Sequence, residues 1–107
     1  MSGYQVDRNK WHKLSLLEQM GNIGSEVGRT YIAVRQHDLD KKAAASARAI
    51  DLFMATTEDR RHTPAEHKEI LRAKEVFLRS TLEDDATDQA AIENYFNQFA
   101  LAARNTR

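Results

Sequence analysis

The most constraining feature of this sequence is a stripe of glycines inside a segment that otherwise favours a helix. Gly21, Gly24 and Gly28 are spaced i, i+3 and i+7, which places them on one face of an α-helix. Each glycine destabilises a helix interior by roughly 1 kcal/mol relative to alanine. We therefore expect a compensating contact along this face, most simply another helix backbone that packs unusually close.

Two other roles for the glycine stripe stay open. A face of small residues could mediate self-association, and glycine-rich backbone at a helix N-terminus can bind a phosphate. However, Gly21 and Gly24 follow a capped helical turn rather than a strand, which does not fit the dinucleotide-binding fingerprint. Close helix packing is the role that we predict for Gly21, Gly24 and Gly28.

The composition predicts a single all-α domain. The chain has 107 residues and only one proline, and it is rich in Ala, Leu, Arg and Glu. It contains no cysteine, which excludes disulfides and thiolate chemistry. Sixteen basic and sixteen acidic residues cancel, whereas a dedicated nucleic-acid binder usually has a basic excess. We find no signal-peptide pattern and no membrane-spanning apolar run, and expect a soluble cytoplasmic protein.

Helix start and stop signals divide the chain into a short arm and four helices. Ser15 and Glu18 form one capping-box pattern, and Thr63 and Glu66 form another with Pro64 between them. Asp38 and Thr87 are the predicted caps of the other two helices. The predicted helices span about 15–36, 39–58, 64–82 and 88–105. Short connections between them favour an antiparallel four-helix bundle over residues 15–107, preceded by an N-terminal arm at residues 1–14.

Apolar residues recur at helical spacing and predict the core faces. In the second helix the predicted core face comprises Leu39, Ala43, Ala47, Ile50 and Met54. Its further alanines, Ala44, Ala45 and Ala49, are suited to packing against the glycine stripe. The predicted core residues of the other helices are Leu16, Met20, Ile23, Val27, Tyr31, Val34, Ile70, Ala73, Phe77, Leu78, Ile92, Tyr95, Phe96, Phe99 and Ala103.

The titratable residues give no strong metal or cofactor signal. The Glu-x-x-His pairs that mark di-iron bundles are absent from the sequence. The four histidines are His12, His37, His62 and His67, and their scatter indicates solvated side chains rather than ligands. We predict no metal site and no cofactor.

The best catalytic candidates are Arg61 and His67. An arginine followed six positions later by a histidine resembles the loose R-x(4–6)-H motif of HEPN-type ribonucleases, which are also small, all-α and usually dimeric. In that hypothesis His67 is the general acid/base and Arg61 stabilises the phosphorane charge. Pro64 interrupts the segment, and the plainer alternative is a solvated loop in which Glu66 completes a helix cap.

A basic stripe on the third helix gives a second nucleic-acid hypothesis. Residues 60–79 carry six basic and three acidic side chains, so this face could contact RNA. The acidic residues are Glu66, Glu69 and Glu75, and they interleave with the basic ones as on an ordinary exposed helix. A solvated helix face is the plainer explanation.

Three motifs in consistent order carry a resemblance to a family. The segment 18–27, E-Q-M-G-N-I-G-S-E-V, resembles an L-G-N-I-G-S-E-V signature of short, uncharacterised bacterial helical proteins, with Met20 in place of the usual leucine. R-A-I-D-L at 48–52 and Y-F-N-Q-F-A-L-A-A-R at 95–104 match that family's other two motifs. The resemblance implies a helical fold and no nameable activity or cofactor. It also implies a specific role for Asn22, Ser25 and Glu26, and we predict that these residues form a polar site together with Arg29.

These observations favour a non-catalytic interaction or accessory module. We expect it to self-associate, most simply as a homodimer, or to bind another protein, and we do not expect a nucleic-acid or membrane partner. A surplus of apolar residues on the first and last helices favours a partner interface, because large exposed patches are uncommon on monomers. The alternatives are a metal-independent HEPN-like ribonuclease that uses Arg61 and His67, or an RNA-binding accessory bundle.

Overall fold

The computed structural model describes residues 5–83 and 86–105, and the side chains of residues 5–82, 89–99, 101 and 102. This part of the chain is all-helical and contains no strand. Its five helices are α1 (Arg8–Trp11), α2 (Leu16–Arg35), α3 (Leu39–Thr57), α4 (Pro64–Glu83) and α5 (Ala86–Asn105).

The capping signals set the helix boundaries. The Ser15 hydroxyl accepts from the Glu18 backbone N–H while the Glu18 carboxylate accepts from the Ser15 backbone N–H, which starts α2. Asp38 caps α3 through the Lys41 backbone N–H at 3.0 Å. Between these helices His37 has a φ of 56°, a left-handed conformation that closes the end of α2. Thr87, predicted as a cap, lies inside α5 because that helix begins earlier, at Ala86.

The N-terminal arm contains the short helix α1, which the sequence pattern does not predict. Asp7 caps α1 by accepting from the backbone N–H groups of Asn9 and Lys10. Trp11, at the end of this turn, is buried against the other helices. Because a single helical turn is too short to show a hydrophobic periodicity, the sequence pattern predicts no helix here.

The helices enclose one hydrophobic core. Helix α2 contacts α3 and α5, helix α4 contacts the same two helices, and α1 packs on α3. A chain of aromatic rings crosses the centre: Phe53 lies 6.0 Å from Phe77 and 5.9 Å from Phe96, and Tyr31 lies 6.0 Å from Phe77 between ring centroids. These four side chains are fully or almost fully buried.

The predicted core face of α3 is wrong. Leu39 and Met54 are exposed, and so are Ala43 and Ala47, whereas the buried residues include Ala45, Ala49, Leu52 and Phe53. Five alanines lie between positions 43 and 49 of α3, so the apolar spacing there fits more than one helix face. The larger Leu52 and Phe53 bury more apolar area than Met54 and decide the orientation. On the other helices, the predicted core side chains within the described set are buried or half-buried, and Ala103 lies outside that set.

The glycine stripe does not pack as one unit against the alanines of α3. A Cβ on Gly24 would lie 2.7 Å from the Cβ of Phe96, so the close neighbour of Gly24 is α5. A Cβ on Gly28 would meet no heavy atom of the described residues within 4 Å, and close packing does not explain that glycine. Gly21 is half-buried, and its close-packing role stays a prediction.

Candidate functional site

A buried polar network lies where the α3–α4 connection meets the segment between α1 and α2. The carboxylate of Asp59 is almost fully buried and forms a 2.6 Å ion pair with Arg61. It also accepts a 3.1 Å hydrogen bond from the side-chain amide of Gln19. The hydrogen bonds from Arg61 hold the pKa of Asp59 well below its ordinary value, against the opposing effect of burial.

Gln19 and His62 complete this network. The Gln19 amide donates to the Trp11 carbonyl at 3.0 Å, and its oxygen accepts from His62 Nε2 at 2.9 Å. The prediction of a solvated His62 is wrong, because its side chain is 5% exposed and lies 3.7 Å from Asp59. A buried charge is stable only when it is paired and hydrogen-bonded, and Asp59 meets both conditions. The network therefore ties the two connecting segments together.

The candidate catalytic residues Arg61 and His67 are not joined into one constellation. Arg61 donates to Asp59 and, at 2.6 Å, to the carbonyl of Leu14. The half-buried His67 follows the capping box of α4, where Thr63 and Glu66 exchange hydrogen bonds of 2.8 and 3.1 Å. No hydrogen bond links Arg61 to His67 in the described part of the chain. The Arg61 guanidinium instead links Asp59 to the Leu14 carbonyl, in the segment between α1 and α2.

The N-terminal segment is held on α3 by contacts that no local sequence pattern indicates. The Trp11 indole donates to Thr56 Oγ1 at 2.9 Å. Arg8 pairs with the mostly buried Asp51 at 2.8 Å, and Asp51 also accepts from the Val6 backbone N–H at 2.7 Å. A polar residue on an apolar helix face is the only sequence signal for Asp51 and Thr56, and it does not identify a partner far along the chain.

The predicted polar site is only partly assembled. Glu26 is buried and receives hydrogen bonds from Arg29 and from Arg48 of α3, the latter at 2.9 Å. Asn22 and Ser25 are exposed, and each donates to a carbonyl one turn earlier in α2. The structure thus brings Glu26 and Arg29 together with Arg48, and leaves Asn22 and Ser25 outside this cluster.

An apolar groove lies between α4 and α5. It has a volume of about 430 Å³, and its lining residues are Glu69, Arg72, Ala73, Val76, Ala91, Ile92 and Tyr95. The Tyr95 hydroxyl donates to Glu69 at 2.5 Å across the groove. Burial, and next the hydrogen bond to Glu69, raise the pKa of Tyr95 above its ordinary value, so this hydroxyl keeps its proton at neutral pH.

No known protein family, curated protein or solved structure matches this chain. The resemblance to the bacterial helical proteins therefore stays a prediction, and the functional argument depends on the geometry given above. Within the described ranges, no three His, Asp or Glu side chains are grouped closely enough to hold a metal ion. None of the helices described there combines the length and hydropathy needed to cross a bilayer.

Proposed function

We propose that this chain is a non-catalytic protein-interaction module that self-associates through the groove between α4 and α5, which we call the α4/α5 groove. The observation that carries the proposal is the apolar character of this concave surface, whose aliphatic lining residues are Ala73, Val76, Ala91 and Ile92. An apolar concave surface loses its contact with water when a partner covers it, which favours association.

The charges at the α4/α5 groove support a second copy as the occupant. Glu69 and Arg72 both line it, so the groove carries one acid and one base. In a two-fold dimer the same patch meets itself, and Glu69 of one copy can face Arg72 of the other. Arg72 forms no ion pair with any residue that the structure describes, and its guanidinium is available for such a contact. A partner with one sign of charge would leave one of the two groups unmatched.

The arrangement of helices supports an antiparallel four-helix bundle as the scaffold. Helices α2 to α5 are joined by short connections, and each contacts two of the others, with α5 returning to α2. In this proposal α4 and α5 are adjacent and their outer groove faces away from the core. The resemblance in the sequence supports a bacterial origin for the scaffold.

The use of Arg61 supports a non-catalytic role over the ribonuclease alternative. A guanidinium that stabilises a phosphorane must be free to reach the reacting phosphate. Arg61 instead neutralises the buried Asp59 and supports the Leu14 carbonyl. Losing that contact on binding RNA would leave a buried carboxylate without its cation, which is strongly unfavourable.

Two neighbouring alanines give a sharp test of the self-association. Ala91 lines the α4/α5 groove, and Ala90 is also exposed on α5 but lies outside the groove. Sedimentation equilibrium on Ala91→Glu and Ala90→Glu compares the same substitution at adjacent positions. We expect Ala91→Glu to weaken the dimer by about tenfold or more through a desolvated, unpaired carboxylate, and Ala90→Glu to behave like the parent. Equal effects of the two substitutions would exclude this groove as the interface.

A further inference from the structure

A second concavity lies between α2 and α3 and is lined by cations. It has a volume of about 540 Å³ and three basic lining residues, Arg29, Lys41 and Arg48. No carboxylate is among its lining residues. Its apolar surface includes Ile32, which is 47% exposed, and the buried Ala33 and Ala45. The cavity therefore combines an excess of positive charge with an apolar wall.

Glu26 orients the two arginines without occupying their whole hydrogen-bonding capacity. One carboxylate oxygen accepts from Arg29 Nη1, and the other accepts from Arg48 Nε at 2.9 Å. One carboxylate between two guanidiniums leaves a net positive charge. Arg48 Nη1 and Nη2, and Arg29 Nε and Nη2, donate to no acceptor in the described residues. Since both side chains line the cavity, unused donors are held beside it.

Lys41 adds a third, loosely held cation. Its ammonium is 3.9 Å from the Asp38 carboxylate, at the limit of an ion pair, and its side chain is 74% exposed. Exposed pairs at such a distance contribute little to stability. The ammonium can move to a ligand at small cost, whereas the arginines are already positioned by Glu26.

From this arrangement we infer that the α2/α3 cavity binds a small organic anion. The ligand class is a molecule with a phosphate or carboxylate group and an apolar body. The oxyanion accepts hydrogen bonds from Arg29 and Arg48, because a planar guanidinium matches the geometry of either a phosphate or a carboxylate. The apolar body of the ligand contacts Ile32. Arg29 was part of the polar site predicted from the sequence, but Arg48 and Lys41 were not. This inference is independent of the proposed self-association, because it involves different helix faces.

The test uses three simple probes, namely phenyl phosphate, inorganic phosphate and benzoate. We would titrate each into the full chain and follow the arginine side-chain NMR signals together with heat release. We expect saturable binding of phenyl phosphate or benzoate with a Kd of about 1 mM or tighter. The stronger of the two identifies the anionic group. We expect weaker binding of inorganic phosphate, because it lacks the apolar body.

Matched variants locate the site. Arg48→Gln and Lys41→Gln should each weaken binding of the stronger organic probe, Arg48→Gln by about tenfold or more. Arg35→Gln, which alters an exposed α2 arginine paired with Glu93, should leave the affinity unchanged. Lys41→Gln removes only an exposed side chain, so the test stands even if Arg48→Gln unfolds the chain. No saturable binding by the parent, or parental affinity in folded Arg48→Gln and Lys41→Gln, would overturn the inference.

Discussion

Gly24 of α2 and Phe96 of α5 approach so closely that a Cβ on the glycine would lie 2.7 Å from the Cβ of the phenylalanine. Real Cβ atoms do not approach one another to that distance, so the two helices would have to separate. We expect Gly24→Ala to lower the free energy of unfolding by about 1–3 kcal/mol through overpacking, despite the better helix propensity of alanine. Urea unfolding followed by circular dichroism measures this change.

Gly28 supplies the matched control for that substitution. It lies one turn further along α2, and a Cβ there meets no described heavy atom within 4 Å. Gly28→Ala should raise the free energy of unfolding by up to about 1 kcal/mol, because only the helix propensity changes. The two substitutions are thus expected to have opposite signs. Stabilisation by both would mean that α2 and α5 are not packed closely at Gly24.

Asp59 predicts an acid-dependent loss of stability. Its pKa is lowered in the folded chain, chiefly by the hydrogen bonds from Arg61. The unfolded chain therefore takes up this proton at a higher pH than the folded chain, near the ordinary carboxyl value of 3.8. The contribution of Asp59 is fully present above that value and is lost progressively as the pH falls towards the folded-state pKa.

Asp59→Asn removes this contribution. We expect it to cost about 2–3 kcal/mol at neutral pH and to flatten the decline in stability between about pH 4 and 2. Urea unfolding at a series of pH values measures both effects. Asp40→Asn, at an exposed position of α3, serves as the control and should keep the parental pH profile. Parallel profiles for the parent and Asp59→Asn would contradict the proposed state of this carboxylate.

The Trp11–Thr56 hydrogen bond predicts that the N-terminal segment contributes to stability. Thr56→Val keeps the shape of the side chain but leaves the buried indole N–H without its acceptor. The expected cost is about 1–3 kcal/mol. Trp11 is the only tryptophan in the chain, so urea unfolding followed by its fluorescence reports on this segment. Thr57→Val, whose hydroxyl donates only to the nearby Met54 carbonyl, should have a smaller effect.

The non-catalytic proposal predicts no RNA cleavage by the purified chain in the presence of a chelator. His67→Ala should give the same result as the parent. Cleavage that is abolished by His67→Ala, with an unchanged circular dichroism spectrum, would instead support the ribonuclease alternative. A fluorogenic single-stranded RNA provides the measurement.

Local sequence patterns predict the four long helices well, but they do not predict the polar contacts between residues far apart in the chain. The capping boxes at Ser15 and Thr63 depend on residues three positions apart, so a sequence pattern can identify them. Asp59 and Gln19 are forty positions apart, and nothing in either neighbourhood specifies the pairing. The core face predicted for α3 is wrong because its alanines fit several helix orientations.

In the candidate sites too, local relationships can be predicted from the sequence, whereas contacts between helices cannot. The pairing of Glu26 with Arg29 is a local i,i+3 relationship on α2, whereas Arg48 joins them only through the packing of α3. The α4/α5 groove likewise depends on how two helices meet, although the apolar surplus on the last helix favoured a partner interface. Phe96 was predicted as a core residue, but its contact with Gly24 was not.

The most direct test of the account is the mass of the parent chain in solution. Sedimentation equilibrium over a range of micromolar concentrations should give a weight-average mass that rises from the 12.2 kDa monomer towards twice that value. The rise should fit a monomer–dimer equilibrium, since a two-fold interface closes on itself. A constant mass of 12.2 kDa across the whole range would contradict self-association, and with it the proposed function.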